Sequence, residues 1–140
     1  MKTVEKIIQN YGGLDALKAK HICIEKAPFM RLVIEYIGDN EQGWPMISIA
    51  HYGEQNGDAM RDPEMVFEIC RLRNDQGEDV KLWSWYPRSF RNDYLGLEQV
   101  ARWDNKVKPR LVRELKAFAK DWDKNIKEQG FSEILLAEVV

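Results

Sequence analysis

Cysteine and net charge are both scarce in this sequence. Only Cys23 and Cys70 occur, too few for a disulfide framework or for a four-thiol metal site. The formal net charge is −2, so the protein as a whole exerts no field that would attract nucleic acid or an anionic membrane. We therefore expect two buried thiols in a reducing compartment, and we expect any charged partner to recognise a local patch.

Long apolar runs are also lacking. The first residues do not contain the apolar core of about 7–15 residues that a signal peptide needs. No run approaches the roughly 20 apolar residues of a membrane-spanning helix. Repeats, low-complexity segments and linkers are absent, and 140 residues suit one hydrophobic core. We expect a cytoplasmic protein without a membrane segment, whose residues 1–140 form a single domain.

Catalytic and cofactor-binding motifs are missing too. The sequence contains no Gly-x-Ser-x-Gly, no Gly-x-Gly-x-x-Gly and no P-loop, and neither cysteine has a histidine at a recognised family spacing. Nucleophilic catalysis therefore has little support in the sequence, and dinucleotide or nucleotide binding by these routes is excluded. The sequence predicts no catalytic residue, no metal and no cofactor, and it favours a protein that is not an enzyme.

Apolar residues at helical spacing predict two helices. Thr3 is a plausible N-cap for a first helix that ends at Gly12-Gly13, and a short helical turn follows it. A long second helix is predicted from Asp104 or Asn105 to Gly130, with Pro109 in its first turn. Its apolar stripe consists of Val107, Leu111, Leu115, Phe118, Trp122 and Ile126.

Between the helices the apolar pattern predicts strands joined by short turns. The predicted strands cover residues 29–37, 46–52, 65–72 and 80–86. We expect an α+β two-layer sandwich, in which a four-stranded antiparallel meander has the N-terminal and the long C-terminal helix packed on one face. Residues 133–140 are predicted to form a short fifth strand or a packed tail.

Both faces of the predicted sheet carry apolar residues. If Val80 and Leu82 point inward, Trp83 and Trp85 point away from the helices. The second face is then covered by residues 87–103 or the C-terminal tail, or by a partner protein or second copy of the chain. In the latter case we expect Trp83, Trp85 and Tyr94 to bind the partner, because aromatic residues are favoured in interfaces.

Charge is unevenly distributed along the chain. Residues 53–79 hold eight acidic residues and three arginines, whereas residues 102–120 hold seven basic residues and two acidic ones. The basic segment is the solvated face of an amphipathic helix, or it binds a phosphate backbone. In the second case the binding residues are Arg102, Lys106, Arg110 and Arg113.

The most polar stretch surrounds an Asn56-Gly57 pair. Imidazole and carboxylate groups are metal ligands, so His51, Glu54 and Asp58, with Asp62 after them, suggest a metal-dependent hydrolase. Their spacing matches no tight metal motif. The alternative, which we favour, is a structural hairpin whose Asn-Gly pair adopts the positive φ angles of a tight turn.

The same stretch carries a resemblance. It reads HYGEQNGDAMRDPEMVF and follows a strand that ends in IEYIGD. It resembles a family of small bacterial proteins of unknown function, found on conjugative elements and phages, that carry a similar EQNGD-x-M-x-DPEM hairpin. The similarity covers about residues 30–72. It implies a bacterial, phage or mobile-element setting, where small accessory and anti-defence proteins are common, and it carries over no catalytic residue.

These observations rank three functions. The first is a non-enzymatic accessory protein that binds another protein or itself. The second is a nucleic-acid-binding accessory factor that uses the basic helix, and the third is a hydrolase at His51, Glu54 and Asp58.

Overall fold

Residues 1–133 of the computed structural model are described below. Its helices are α1 (Lys2–Tyr11), α2 (Gly13–Ala19) and α3 (Pro109–Glu128), followed by a 3-10 turn at Phe131–Glu133. The strands of the main sheet are β1 (Ile22–Ile24), β2 (Arg31–Asp39), β3 (Pro45–Gln55), β4 (Asp58–Cys70), β5 (Ser84–Asn92) and β6 (Leu97–Val100). They lie in the order of the chain, and each pair is antiparallel. A separate hairpin joins β7 (Arg102–Trp103) to β8 (Lys106–Val107).

The α+β class and the antiparallel meander are confirmed, but the predicted number of four strands is wrong. Within residues 1–133 the sheet has six strands. Two of them were not predicted, because β1 is too short to show an alternating pattern and β6 lies in a stretch without one. Strand β4 begins before Pro63 instead of after it. Asp62 and Pro63 fall where the β3–β4 register shifts, so the missing proline N–H breaks no ladder bond there.

The helices cover one face of the sheet. Alternate residues of the strands point to this face and are buried together with the apolar residues of all three helices. On β2 and β3 they are Leu32, Ile34, Ile47 and Ile49, and on β4 they are Met65, Phe67 and Ile69. The core is continuous because the apolar face of α1, with Val4, Ile7 and Ile8, packs into the same cluster.

The long helix starts later than predicted. Asp104 and Asn105 have positive φ angles and form the turn between β7 and β8, so α3 begins only at Pro109. Leu115, Trp122 and Ile126 are buried as the stripe predicted. Phe118, however, is 40% exposed, and Val107 belongs to β8. Val112 and Ala119 are buried in their place, which moves the core-facing stripe around the helix.

The N-terminal helix is capped by a distant residue. The predicted cap, Thr3, lies inside α1, which has no cap from its own side chains. Instead, Asp123 of α3 accepts hydrogen bonds from the backbone N–H groups of Thr3 at 3.1 Å and Val4 at 3.3 Å. A carboxylate at this position satisfies free N–H groups and complements the helix dipole. The first and last helices are thereby joined.

The two cysteines are less buried than predicted. Cys23 and Cys70 are free thiols, and both are half-buried. No helix within residues 1–133 is long and apolar enough to cross a membrane. Of the strand or tail predicted at 133–140, Glu133 belongs to the 3-10 turn, and residues 134–140 lie outside the described part.

Candidate functional site

The predicted orientation of Trp83 and Trp85 is wrong. Trp83 is only 6% exposed, and Trp85 packs edge-on against Phe67 of the core with ring centroids 5.5 Å apart. Both residues contact α1, because the carboxylate of Glu5 accepts a hydrogen bond from Trp83 N at 3.1 Å and from Trp85 Nε1 at 3.0 Å. The two indoles therefore lie on the helix side of the sheet and do not form an exposed binding surface.

The exposed apolar residues near these tryptophans are aliphatic. Strand β5 begins at Ser84, so Val80 and Leu82 lie in the β4–β5 connection, where they are 54% and 59% exposed. Leu72 is 53% exposed and lies opposite Val80, whose N–H donates to Leu72 O at 2.9 Å. Opposite residues of antiparallel segments have adjacent side chains. We call Leu72, Val80 and Leu82 the aliphatic patch.

The segment that carries the aliphatic patch is firmly held. Asp79 accepts a hydrogen bond from Trp83 Nε1 at 2.6 Å and forms an ion pair with Arg71 at 3.2 Å. Arg71 also lies over the Trp83 ring, with its guanidinium carbon 5.7 Å from the centroid. Arg73 and Asp79 form a further β-bridge. These contacts tie the segment of the patch to Trp83 and to the end of β4.

Tyr94, the third predicted partner-binding residue, is 41% exposed but contacts its own chain. Its hydroxyl donates to Glu54 O at 3.4 Å and lies against Gly53, in the space that a Cβ at that position would occupy. Tyr94 therefore braces the β3–β4 hairpin. It lies in the β5–β6 turn, away from the aliphatic patch on the β4–β5 connection.

Arg102, predicted to bind nucleic acid, is occupied by an internal carboxylate. Glu68 is 2% exposed on the face of the sheet opposite the helices, and it accepts from Arg102 Nε at 2.5 Å and from Asn40 Nδ2 at 2.6 Å. Arg88 completes the cluster, 3.5 Å from Glu68 and 3.1 Å from Glu41. Its hydrogen bond lowers the pKa of Glu41. Arg102 is therefore a structural residue that anchors the β7–β8 hairpin.

The other predicted basic residues are exposed. Lys106 lies on β8, and Arg110 and Arg113 lie in the first turns of α3, where Arg110 pairs with Glu114 at 3.2 Å. Further along α3, exposed basic residues recur every three or four positions and share one side of the helix. This basic face consists of Arg113, Lys116, Lys120, Lys124 and Lys127. It is about 21 Å long, since a helix rises about 1.5 Å per residue.

Two half-buried aromatic residues accompany the basic residues. The Nζ of Lys116 lies 5.2 Å from the centroid of the Tyr86 ring, and the guanidinium carbon of Arg102 lies 5.3 Å from it. Lys108 lies over Trp103 at 5.4 Å. Cation–π contacts of this kind fix the long side chains without neutralising their charge. The region around the start of α3 is accordingly positive and partly ordered.

The predicted metal ligands do not converge. Glu54 and Asp58 are exposed at the tip of the β3–β4 hairpin, where Asn56 and Gly57 have φ angles of 53° and 84°. Positive φ at both central residues is the geometry of a type I′ turn, which confirms the predicted structural turn. His51 instead is buried between Trp122 and Phe131. Within residues 1–133, no group of three histidine, cysteine or carboxylate side chains is placed to hold a metal ion.

The aliphatic patch and the basic face differ in how far the sequence revealed them. The basic face follows from lysine and arginine spacing on a well-predicted helix. The patch was missed because Val80 and Leu82 have the composition of a strand. In the structure they precede β5, which begins only at Ser84, and their side chains are exposed. One local feature of the sequence could have indicated this. The turn Asn74-Asp75-Gln76-Gly77 lies so close to Val80 and Leu82 that both could belong to the segment that leaves the turn.

Comparison with known proteins identifies a family but no relative with an assigned role. A family model described as a domain of unknown function (DUF6908) matches residues 2–132. No curated protein and no solved structure matches the chain. The family match spans more of the chain than the resemblance at residues 30–72. The bacterial or phage setting and the shared hairpin motif stay predictions.

Proposed function

Since the chain belongs to the family described as a domain of unknown function (DUF6908), we propose a function from its surface: it is a non-enzymatic accessory protein that binds another protein. The observation that carries this proposal is the aliphatic patch, in which three aliphatic side chains are each more than half exposed. Adjacent exposed apolar residues with a charged rim are typical of protein interfaces. The bacterial, phage or mobile-element setting and an anti-defence role belong to the same proposal.

The rigidity of the patch supports this role. Leu72 and Val80 are joined by a backbone hydrogen bond, and the Asp79–Trp83 bond ties the segment to the core. A surface that is already ordered loses less conformational entropy on binding, so more of the apolar contact appears as affinity. The exposed charges of Arg73 and Lys81 lie next to Leu72 and Leu82 in the sequence and would set the orientation of the partner.

Crosslinking from the patch tests the proposal. A photo-crosslinking residue at position 82 should capture a specific protein in host cells, whereas the same residue at exposed position 107 on β8 should not. Leu72→Asp with Leu82→Asp should weaken binding of the captured protein more than 10-fold, because a charge in an apolar contact must be desolvated. Val107→Asp is the matched control. Equal capture from both positions would argue against the patch.

Light scattering then decides whether the partner is a second copy. A wild-type mass of two chains that falls to one in the double Asp variant identifies a homodimer. A wild-type monomer directs the search to a different protein.

Nucleic-acid binding through the basic face is the second candidate function. It is favoured by the uninterrupted row of five exposed basic residues in a protein of net charge −2. Phosphate contacts release counterions, so the affinity should fall steeply with salt, by a slope of about 0.9 per contact on a double-logarithmic scale for duplex DNA. Apolar binding at the aliphatic patch should change far less with salt.

The charge variant for this test has a matched control. Arg113→Gln, Lys120→Gln and Lys127→Gln together should abolish any low-salt binding to duplex or single-stranded DNA or RNA and leave the melting temperature nearly unchanged. The control removes three exposed lysines elsewhere, Lys6, Lys20 and Lys81. Equal loss in both variants would mean that only net charge matters. A wild type that binds neither DNA nor RNA at low salt rules out this candidate.

A further inference from the structure

A cavity of about 310 Å³ lies beside His51, at the end of the sheet that faces the last turn of α3. Its apolar wall is the loop before β2, and its polar lining comes from three separate elements. We call it the His51 cavity; its lining residues are Pro28, Phe29, Met30, His51, Asp62 and Gln129. Neither the aliphatic patch nor the basic face includes any of them. Its volume is at the lower end of the range of small-molecule sites.

His51 offers the cavity a hydrogen-bond acceptor. Its Nδ1 lies 3.1 Å from Met30 O, and a carbonyl oxygen can only accept, so Nδ1 carries the hydrogen and Nε2 the lone pair. Nε2 makes no hydrogen bond within residues 1–133. The ring is 8% exposed and is held between Trp122 and Phe131, with centroids 5.7 Å and 5.4 Å away. Burial also lowers the pKa of His51, which keeps the ring neutral at neutral pH.

Asp62 adds a second acceptor. Its Oδ1 accepts from Asn92 Nδ2 at 2.7 Å, which fixes the carboxylate. Within residues 1–133 it forms no ion pair, because the adjacent Arg61 pairs with Asp93 and Glu64 instead. Gln129 also lines the cavity, but its Oε1 is buried, so a ligand in the cavity cannot reach that oxygen.

These features define the ligand by its chemistry. The polar lining can accept hydrogen bonds at Asp62 and at His51 Nε2 and carries one negative charge, while the apolar wall includes the Phe29 ring and Pro28. We propose that the His51 cavity binds a small planar cation with several N–H donors on an apolar body, such as an amidinium or guanidinium compound. Asp62 pairs with the charge, and His51 Nε2 accepts a remaining hydrogen bond.

Titration with benzamidine tests the proposal on the intact chain. The His51 ring and Trp122 indole signals in the NMR spectrum should shift and saturate, with a Kd of about 1 mM or lower for a fragment of this size. Benzamide and benzoate have the same ring without the cation, and they should bind at least 10-fold more weakly. An arylguanidine and an arginine amide are titrated in parallel. Tighter binding of the arylguanidine indicates a small-molecule ligand, and tighter binding of the arginine amide indicates an arginine side chain of a protein.

Two variants identify the residues responsible. Asp62→Asn keeps the shape and the Asn92 contact but removes the charge, and it should weaken benzamidine binding at least 10-fold. The matched control is Asp58→Asn, an exposed change on the same strand that does not line the cavity. His51→Gln should weaken binding as well, with both variants checked for folding by their melting temperature. Equal binding of benzamidine and benzamide, or unchanged affinity in folded Asp62→Asn, overturns the proposal.

Discussion

Glu5 of α1 is a buried carboxylate, and within residues 1–133 it forms no ion pair. Its hydrogen bonds explain the position of two tryptophans. It lies beside the apolar stripe of α1 and accepts hydrogen bonds from Trp83 N and Trp85 Nε1. Replacing it by alanine removes the only partner that both donors have on α1. Glu5 thus satisfies the Trp85 indole N–H and the Trp83 backbone N–H, whereas the Trp83 indole N–H donates to Asp79, an arrangement that composition alone does not reveal.

Glu5→Ala should therefore destabilise the protein by about 2–4 kcal/mol, because buried donors left without partners cost their full desolvation. Glu5→Gln retains one acceptor oxygen and should cost about half as much. Gln9→Ala, an exposed change on the same helix, should have little effect. Chemical denaturation followed by tryptophan fluorescence measures all three. Glu5→Ala with wild-type stability would contradict this role.

His51 should make the stability of the protein depend on pH. Burial lowers its pKa from the ordinary 6.5, against the opposing effects of the backbone at Met30 and Arg31 and of the Asp62 charge. The unfolded chain then takes up a proton at higher pH than the folded chain. The contribution of His51 is thus complete above its unfolded pKa of 6.5 and is lost as the pH falls through the folded pKa.

Melting temperatures between about pH 5 and pH 8 test this linkage. The wild type should lose stability on acidification more steeply than His51→Gln, which cannot take up the proton. The other histidine provides the control, because His21 is exposed and His21→Gln should keep the wild-type slope. Parallel curves for the wild type and His51→Gln would show that His51 does not contribute.

At the scale of elements, the apolar stripe of α3 divides into buried and exposed positions. Trp122 is buried, and Trp122→Ala should cost about 3–5 kcal/mol, the usual range for a large aromatic residue in a core. Phe118 is partly exposed and packs at the edge of the core, with the Phe90 ring at 5.1 Å and the Trp122 ring at 6.1 Å. Phe118→Ala should therefore cost only about 1–2 kcal/mol. Equal losses measured by denaturation would place both residues in the same environment.

The helices show how much of the fold the sequence could predict. The core-facing side of α3 follows largely from 3.6-residue spacing, which needs no tertiary information, so Leu115, Trp122 and Ile126 were correctly placed in the core. The stop at Gly130 was equally local, since this glycine has a φ of 87° just after the helix. Start positions were less certain, because Asp104 and Asn105 suit a tight turn as well as a cap.

Strand boundaries were harder to predict because pairing decides them. A sequence that is apolar on both faces has no preferred register, so the position of β5 depends on its partner β4 and on Glu5 of the distant α1. The same dependence hid the candidate sites. The aliphatic patch results from the late start of β5 at Ser84, and the His51 cavity assembles residues from four segments of the chain.

At the scale of the whole molecule, the candidate surfaces differ in chemistry and location. The aliphatic patch belongs to the β4–β5 connection, whereas the basic face follows α3. Acidic residues are concentrated in residues 53–79 and offset the basic helix, which explains a small net charge with strong local differences. We therefore expect any partner to be selected by the patch it contacts and not by long-range attraction to the protein as a whole.

The contact of Asp123 with the first turn of α1 should make the chain unfold as one unit. This carboxylate in the last helix holds the Thr3 and Val4 N–H groups, and α1 in turn holds Trp83 and Trp85 through Glu5. Separating α1 from α3 leaves the Thr3 and Val4 N–H groups without their acceptor, and separating α1 from the sheet leaves the Trp83 and Trp85 donors without theirs. Trp83 and Trp85, two of the five tryptophans, report the contact between α1 and the sheet by their fluorescence, whereas far-UV circular dichroism reports all elements. Their denaturation transitions should coincide, as in two-state unfolding.

Asp123→Ala should lower the stability by about 1–2 kcal/mol, the usual cost of losing a helix cap, because two N–H groups lose their acceptor. Asp121→Ala, an exposed change in the same helix, should change it by less than about 0.5 kcal/mol. If Asp123 only caps α1, the fluorescence and dichroism transitions of the variant shift together. If the contact also keeps α1 coupled to the sheet, the fluorescence transition of Asp123→Ala moves to lower denaturant than the dichroism transition. A variant with wild-type midpoints by both measurements would mean that the chain ends are joined by apolar packing alone.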